Sequence, residues 1–304
     1  MTSFILIFLC LFLGLIFRVF KIFPDTTAMV LNRFVIYISL PALTIKALHQ
    51  ITFSSEQIPA IAMSWILFIL GLLFFKILSL HFKWNRQTHG AVILTGSLGN
   101  TSFVGFPLLE ALFGASSLSV GILVDQPGTF LVAGTLGIFV ASFFSGKTLR
   151  TQELIKKVIL FPPFQAVVLS VFIHSYQFPT ELNALLEKLA ATLIPLSLVA
   201  VGFQIKINTS SLRREWKPLV AGLGFKLLLA PIIMTIIYVG FFNMYTLNTR
   251  IILVESAMAP MITAGILATE YNLNTELSSL MIGLGIPLSM LTVPLWNYIL
   301  GFIV

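Results

Sequence analysis

Gly99-Asn100-Thr101-Ser102-Phe103-Val104-Gly105-Phe106-Pro107 lies inside an uncharged, apolar run from Gln87 to Leu109. Composition predicts a helix here, and the punctuation predicts that the helix breaks. Pro107 removes a backbone donor and disfavours helical geometry at Phe106, while Gly99 and Gly105 weaken the turns before it. In lipid, freed backbone groups need partners, so a break survives only where it is buried in protein or lines a watery cavity. The stretch is therefore a candidate binding site at membrane depth.

The whole chain fits that setting. Of its 304 residues 58% are hydrophobic and only 10% charged, against about 25% charged in soluble domains. Uncharged segments such as 58–75, 158–180, 227–249 and 277–304 each reach the roughly 17–25 residues needed to cross a bilayer. The composition implies an all-α polytopic membrane protein with no soluble domain. Arg18 and Lys21 follow the first apolar run rather than precede it, the reverse of a cleavable signal peptide, so a retained first helix is expected. Cys10 is the only cysteine, which excludes an intrachain disulfide and a thiolate metal cluster. The net charge of +7 comes from residues scattered between apolar runs, a pattern of membrane topology and not of nucleic-acid binding.

Apolar runs and their punctuation give ten transmembrane helices, near 3–20, 32–48, 58–80, 89–113, 118–145, 156–175, 187–206, 216–241, 250–270 and 277–302. Alternate connections carry unequal charge: thirteen lysines and arginines on one side, among them Arg18, Lys83, Lys147, Arg150, Lys157, Lys206 and Arg214, against Lys46, Lys188 and Arg250 on the other. The positive-inside rule makes the rich side cytoplasmic and places both termini on the outer side of the cell inner (plasma) membrane.

Residues 147–157 form a basic cytoplasmic connection between two halves, 1–146 and 158–304, each expected to carry five helices. Pro41 to Pro107 is 66 positions and Pro195 to Pro260 is 65, so the halves punctuate the membrane at nearly one interval. An odd number of helices per half forces opposite orientations. This is the pattern of two inverted five-helix repeats found in secondary transporters; two prolines matched by chance would give the same spacing.

The string from Gly99 to Leu108, followed by Leu112-Phe113-Gly114, resembles the fourth-helix motif of the auxin efflux carrier family in its bacterial branch. Asp125-Gln126, Ile194-Pro195-Leu196 and Ala257-Met258-Ala259-Pro260 resemble further family motifs. The resemblance covers essentially the whole chain. It implies a scaffold and a transport domain with broken helices 4 and 9 crossing in an X, a fold related to the bile acid/sodium symporters. It also implies carriage of organic anions, either small carboxylates such as malate or malonate or auxin-like acids. Gly265 stands where the family has a second proline and is taken as the remaining helix break, beside Gly99, Gly105, Pro107 and Pro260. Scaffold halves of such folds often associate, so a homodimer through them is a candidate state.

Several polar residues then acquire candidate roles. Asn100, Thr101 and Ser102 face different directions around a helix and with freed amides can hold a carboxylate; alternatively they bond their own helix and cap its broken end. Asp125, beside Gln126 and just before Pro127-Gly128, is costly in a membrane unless paired, hydrated or protonated, which suits a proton carrier; the alternative is an interfacial cap. Glu255 opens Glu255-Ser256-Ala257-Met258-Ala259-Pro260-Met261-Ile262-Thr263. An acid, hydroxyls and freed carbonyls there can bind Na+ or carry H+, with Met261 and Thr263 lining the substrate site; a salt bridge from Glu255 to Arg250 is the other reading. Lys226, deep in the eighth helix, balances the acids or pairs with the anion. Lys76 snorkels, Glu110 is placed at the outer surface, and His49, His81, His89 and His174 are read as interfacial, with no metal-ligand spacing. No cofactor is expected. The absence of HExxH, GxSxG and phosphate-loop motifs argues against an intramembrane enzyme, and the absence of an output domain argues against a ligand sensor.

Overall fold

The computed structural model describes residues 2–49, 55–146, 152, 156, 159–173, 176–205 and 209–304. Lys147, Arg150, Lys157, His174 and Lys206, and most of the 147–157 connection, lie outside the described residues. Every described element is helical. In chain order these are α1 (Thr2–Val19), α2 (Thr27–Leu48), α3 (Ser55–Phe82), α4 (Arg86–Ser97), α5 (Gly105–Phe113) and α6 (Ala115–Ser145). There follow α7 (Pro162–Phe172), α8 (Thr180–Gln204), α9 (Ser210–Phe241), α10 (Leu247–Ser256), α11 (Ile262–Glu270) and α12 (Thr275–Leu300).

Six of them, α2, α3, α6, α8, α9 and α12, are long and apolar enough to cross a bilayer. The shorter α1 and α7 are also apolar, and α4/α5 and α10/α11 are the halves of two interrupted helices. Long apolar side chains such as Phe12, Leu73, Phe139 and Leu291 point outward. That inversion of the soluble pattern is what a chain in hydrocarbon needs: lipid solvates the apolar exterior, and polar groups collect within.

Two packing groups form, and neither follows the halves of the sequence. Helices α1, α2, α7 and α8 pack on one another, while α3 to α6 pack with α9 to α12. In the first group α1 and α8 cross with backbone against backbone. A Cβ at Gly14 would overlap the Val199 carbonyl oxygen, and one at Gly202 would overlap that of Leu11. Small residues allow such close approach, which is how helices associate where no hydrophobic drive separates them from lipid. Arg18 closes the end of the joint by donating to the Phe203 and Ile205 carbonyls at 3.1 and 3.0 Å, carbonyls that the end of α8 leaves open. Higher in the group, Ser39 and Thr192, each just ahead of a proline (Pro41 and Pro195), share a 2.7 Å hydrogen bond between α2 and α8. In the second group Asn274 ties three helix starts together: its backbone N–H reaches the Gln87 carbonyl, and its side chain donates to Thr88 and Glu215.

Two of the expected helix breakers do not break helices. Pro107 is the third residue of α5. In a first turn its missing N–H would have had no intrahelical partner, so the proline starts the second half rather than ending the first, and Phe106 is helical. Gly265 lies inside the unbroken α11. A side chain there would overlap Ile282, so this glycine serves the packing of α11 on α12. The interruptions themselves are residues 98–104 and 257–261.

Gly14→Ala and Gly202→Ala should each lower the thermal unfolding midpoint in detergent, because overpacking costs about 1–3 kcal/mol or more where the obstacle is backbone. Gly224→Ala, with nothing within 4 Å of its added methyl, is the matched control and should not lower the midpoint, since alanine without obstruction favours the helix.

Candidate functional site

The two interruptions meet. The backbone leaves helix for extended conformation at residue 98 and is extended again at residue 261, just before α11, and the segments run antiparallel past each other at Gly99 and Pro260. Asn100 donates its backbone N–H to the Ala259 carbonyl at 2.7 Å, and Met261 donates to the Leu98 carbonyl at 2.9 Å. Both bonds flank Pro260, whose lack of an N–H therefore costs nothing. The bridge satisfies four groups that would each forfeit several kcal/mol in lipid. Within the first break Gly105 N–H reaches the Asn100 carbonyl and Phe106 N–H reaches that of Ser102. The ring of Pro260 packs on Gly285 of α12, where any side chain would overlap it.

Around this bridge lie three buried charges. Asp125 comes from a π-helical segment of α6, Val124–Phe130, that forms where Pro127 and Gly128 loosen the helix. The Pro127 carbonyl in this segment accepts from the Trp65 indole at 3.2 Å. Asp125 is well supplied with donors: Thr101 Oγ1 and Gln126 Nε2 each approach at 2.6 Å, and Ser102 also reaches it. It is buried, not an interfacial cap. Thr101 and Ser102 thus turn their hydroxyls to Asp125, whereas Asn100 Nδ2 and Gln126 Oε1 have no partner among the described residues.

Glu255 is 0% exposed, and among the described residues neither carboxylate oxygen accepts a hydrogen bond. Its oxygens rest on the α-carbon of Gly105, where an added Cβ would stand 2.9 Å from each. Arg250 does not pair with it; that guanidinium bonds the side chain and carbonyl of Asn297 on α12. The cation facing Glu255 is Lys226, from a π-helical segment of α9, Phe225–Leu229. Pro231, four residues after Leu227, removes the donor that would have reached the Leu227 carbonyl, and Trp296 supplies one instead at 2.8 Å. Lys226 Nζ donates to the Ser256 carbonyl at 3.0 Å and lies against Gly99, 3.0 Å from where a Cβ would stand. Gly99 and Gly105, read from sequence as weak points of a helix, are the places where two charged groups press on bare backbone.

The remaining candidates are distributed as follows. Met261 is buried and joins the bridge through its backbone. Thr263 is not brought to the crossing. It lines an apolar cavity of about 270 Å³ between α6, α11 and the start of α7, beside Phe130 and Phe161, whose rings stack at 3.4 Å. On the other side of α11 a cavity of about 250 Å³ separates the two packing groups, with Arg18, Asp25 and Gln204 on one wall and Ile262, Gly265 and Thr269 on the other. Arg18 and Asp25 carried no site role in the sequence reading; a cation and an anion flanking the turn between two helices was the available signal. Lys76 is exposed on α3, Glu110 is half-buried, and His49 stacks on Phe178. No cluster able to hold a metal through His, Cys, Asp or Glu occurs among the described residues.

The family model described as membrane transport protein matches residues 1–297. An uncharacterised transporter of Methanocaldococcus jannaschii is 26% identical, the match covering 97% of each chain. Another, of Methanothermobacter thermautotrophicus, is 29% identical over 95% of this chain and 94% of its own.

Gly105→Ala should drive its methyl into the Glu255 carboxylate and lower stability by about 1–3 kcal/mol. In a double-mutant cycle read by thermal unfolding, Glu255→Ala should cancel most of that loss. Additive effects would mean that the two positions do not touch.

Proposed function

The chain belongs to the membrane transport protein family, that of the auxin efflux carriers, and on this premise we propose a secondary active transporter of a small organic anion, working by alternating access and driven by protons. Family and relatives make it a membrane transporter and not an enzyme. The observation that carries the finer reading is the reciprocal bridge of two broken helices with Asp125, Glu255 and Lys226 buried around it. Discontinuous helices meeting at mid-membrane are the usual substrate and ion sites of secondary transporters, because only there does freed backbone polarity become useful.

Ten membrane spans arranged as two inverted five-helix repeats accompany this reading. Its support is that matched positions meet each other: the breaks at Gly99 and Pro260, and Ser39 with Thr192 beside the paired prolines. About a pseudo-twofold axis, equivalent residues near the axis must face one another. In this reading both termini lie on the outer side of the inner membrane, which the charge asymmetry of the connections supports.

Asn100 is the residue proposed to hold the anion, since its amide nitrogen is buried at the crossing without a partner among the described residues. The cavity between Arg18 and Ile262 is its path to one side of the membrane. Asp125 is the proton carrier: Thr101, Ser102 and Gln126 can stabilise its charged form, and its burial penalises that form, so protonation and release are both within reach. A sodium symporter is favoured instead by the open oxygens of Glu255 and Gln126.

In proteoliposomes with an imposed pH gradient, labelled dicarboxylates and indole acids should include a transported substrate. Asn100→Ala should slow its uptake about tenfold or more, since a hydrogen bond to a charged group is worth about 1.5–3 kcal/mol. Asp125→Asn should retain counterflow and lose the response to the pH gradient. Undiminished uptake by Asn100→Ala would move the substrate elsewhere.

A further inference from the structure

The three charges at the crossing are provided for unequally. Asp125 is surrounded by donors from Thr101, Ser102 and Gln126 and needs no cation beside it. Glu255 receives no hydrogen bond at all. A buried carboxylate without donors is tolerable only beside a positive charge or as a neutral acid.

The surroundings of Lys226 Nζ have the composition of a small cation site. The ammonium is held by the carbonyl of Ser256, the last residue of α10, where the broken helix presents its negative end. The adjoining residue is Glu255, whose buried carboxylate faces Lys226 and has both oxygens open among the described residues; on α6, beside Asp125, Gln126 Oε1 is also buried and unpartnered. Helix-end carbonyls with an acid and an amide oxygen are the donors that transporters use for monovalent cations. Here the ammonium already takes the helix-end carbonyl and faces the acid, and Gly99 leaves it the space. Ammonium is close to an alkali ion in charge and size, and it offers three donors, of which Ser256 takes one.

We propose that Lys226 is a tethered cation that stands in for a free monovalent cation at the crossing, so that the protein requires and binds no free sodium there. The inference rests on the transporter reading only for its consequence, which is that sodium is not the coupling ion. The occupancy itself is a property of the crossing and holds whatever the substrate is.

The test uses full-length protein in detergent and needs no substrate. Thermal unfolding is followed while choline chloride is replaced by sodium chloride or methylammonium chloride at constant ionic strength. The wild type should give the same midpoint in all three. Lys226→Ala should have a lower midpoint in choline and recover much of the loss, saturably, in sodium or methylammonium, because an ion that binds only the folded state stabilises it by mass action. Lys226→Ala combined with Glu255→Gln should lose the recovery. A purely structural lysine would leave its alanine variant destabilised and indifferent to the cation, and that result overturns the proposal. So does saturable stabilisation of the wild type by sodium over choline. If Lys226→Ala does not purify, Lys226→Ser serves in its place; if neither does, the wild-type comparison decides. A failure of every anion in the uptake assay would refute the substrate reading and leave these midpoints unaffected.

Discussion

Backbone polarity inside hydrocarbon is the constraint on which this structure turns. Two helices are interrupted in the same part of the molecule, and each exposes N–H and C=O groups that lipid cannot solvate. The solution is mutual: each break uses the other as a partner, through one bond in each direction about Pro260. Neither break is tolerable without its counterpart, so the site and the fold are one problem. The neighbouring glycines follow from it. Gly285 admits the proline ring, and Gly99 and Gly105 let charged groups reach the bridge.

The same logic governs the helices that deliver those charges. Asp125 and Lys226 both stand on π-helical turns next to a proline, where the backbone is already out of register. A π turn rotates side chains relative to the α-helical face and frees carbonyls. In each case a tryptophan from a neighbouring helix takes up a carbonyl, Trp65 on α3 and Trp296 on α12. The indoles are thus part of how acid and lysine are aimed.

Much of this could be read in the sequence, and the failures have physical causes. The low charge content and long apolar runs imply membrane helices because no soluble chain could cover so much apolar surface. Gly99 to Pro107 pointed to a break because glycine and proline act locally, and the matched interval to Pro260 pointed to its partner. Pro107 was misplaced because proline is tolerated in a helix's first turn as readily as it ends a helix. Gly265 was misread because glycine weakens a helix in isolation but also admits a close neighbour, here Ile282. Thr263 faces a different cavity, since two residues of helix beyond Met261 are enough to turn a side chain away. The partner of Lys226 is a backbone carbonyl, and Asp125 draws on residues of another helix; such contacts are set by tertiary geometry and leave no local pattern.

The crossing of α1 and α8 has a mechanical meaning. Where two helices touch through side chains, rotamers can yield and the surfaces can slide. Where Gly14 and Gly202 bring backbone onto backbone, there is nothing to yield. That joint is a weld, and α1 and α8 can only travel as one rigid member. The compliant part of the molecule is then the seam beside α11, where two cavities leave the packing incomplete. A frame stiff at one crossing and loosely packed along one helix yields most easily at that helix, beside Arg18.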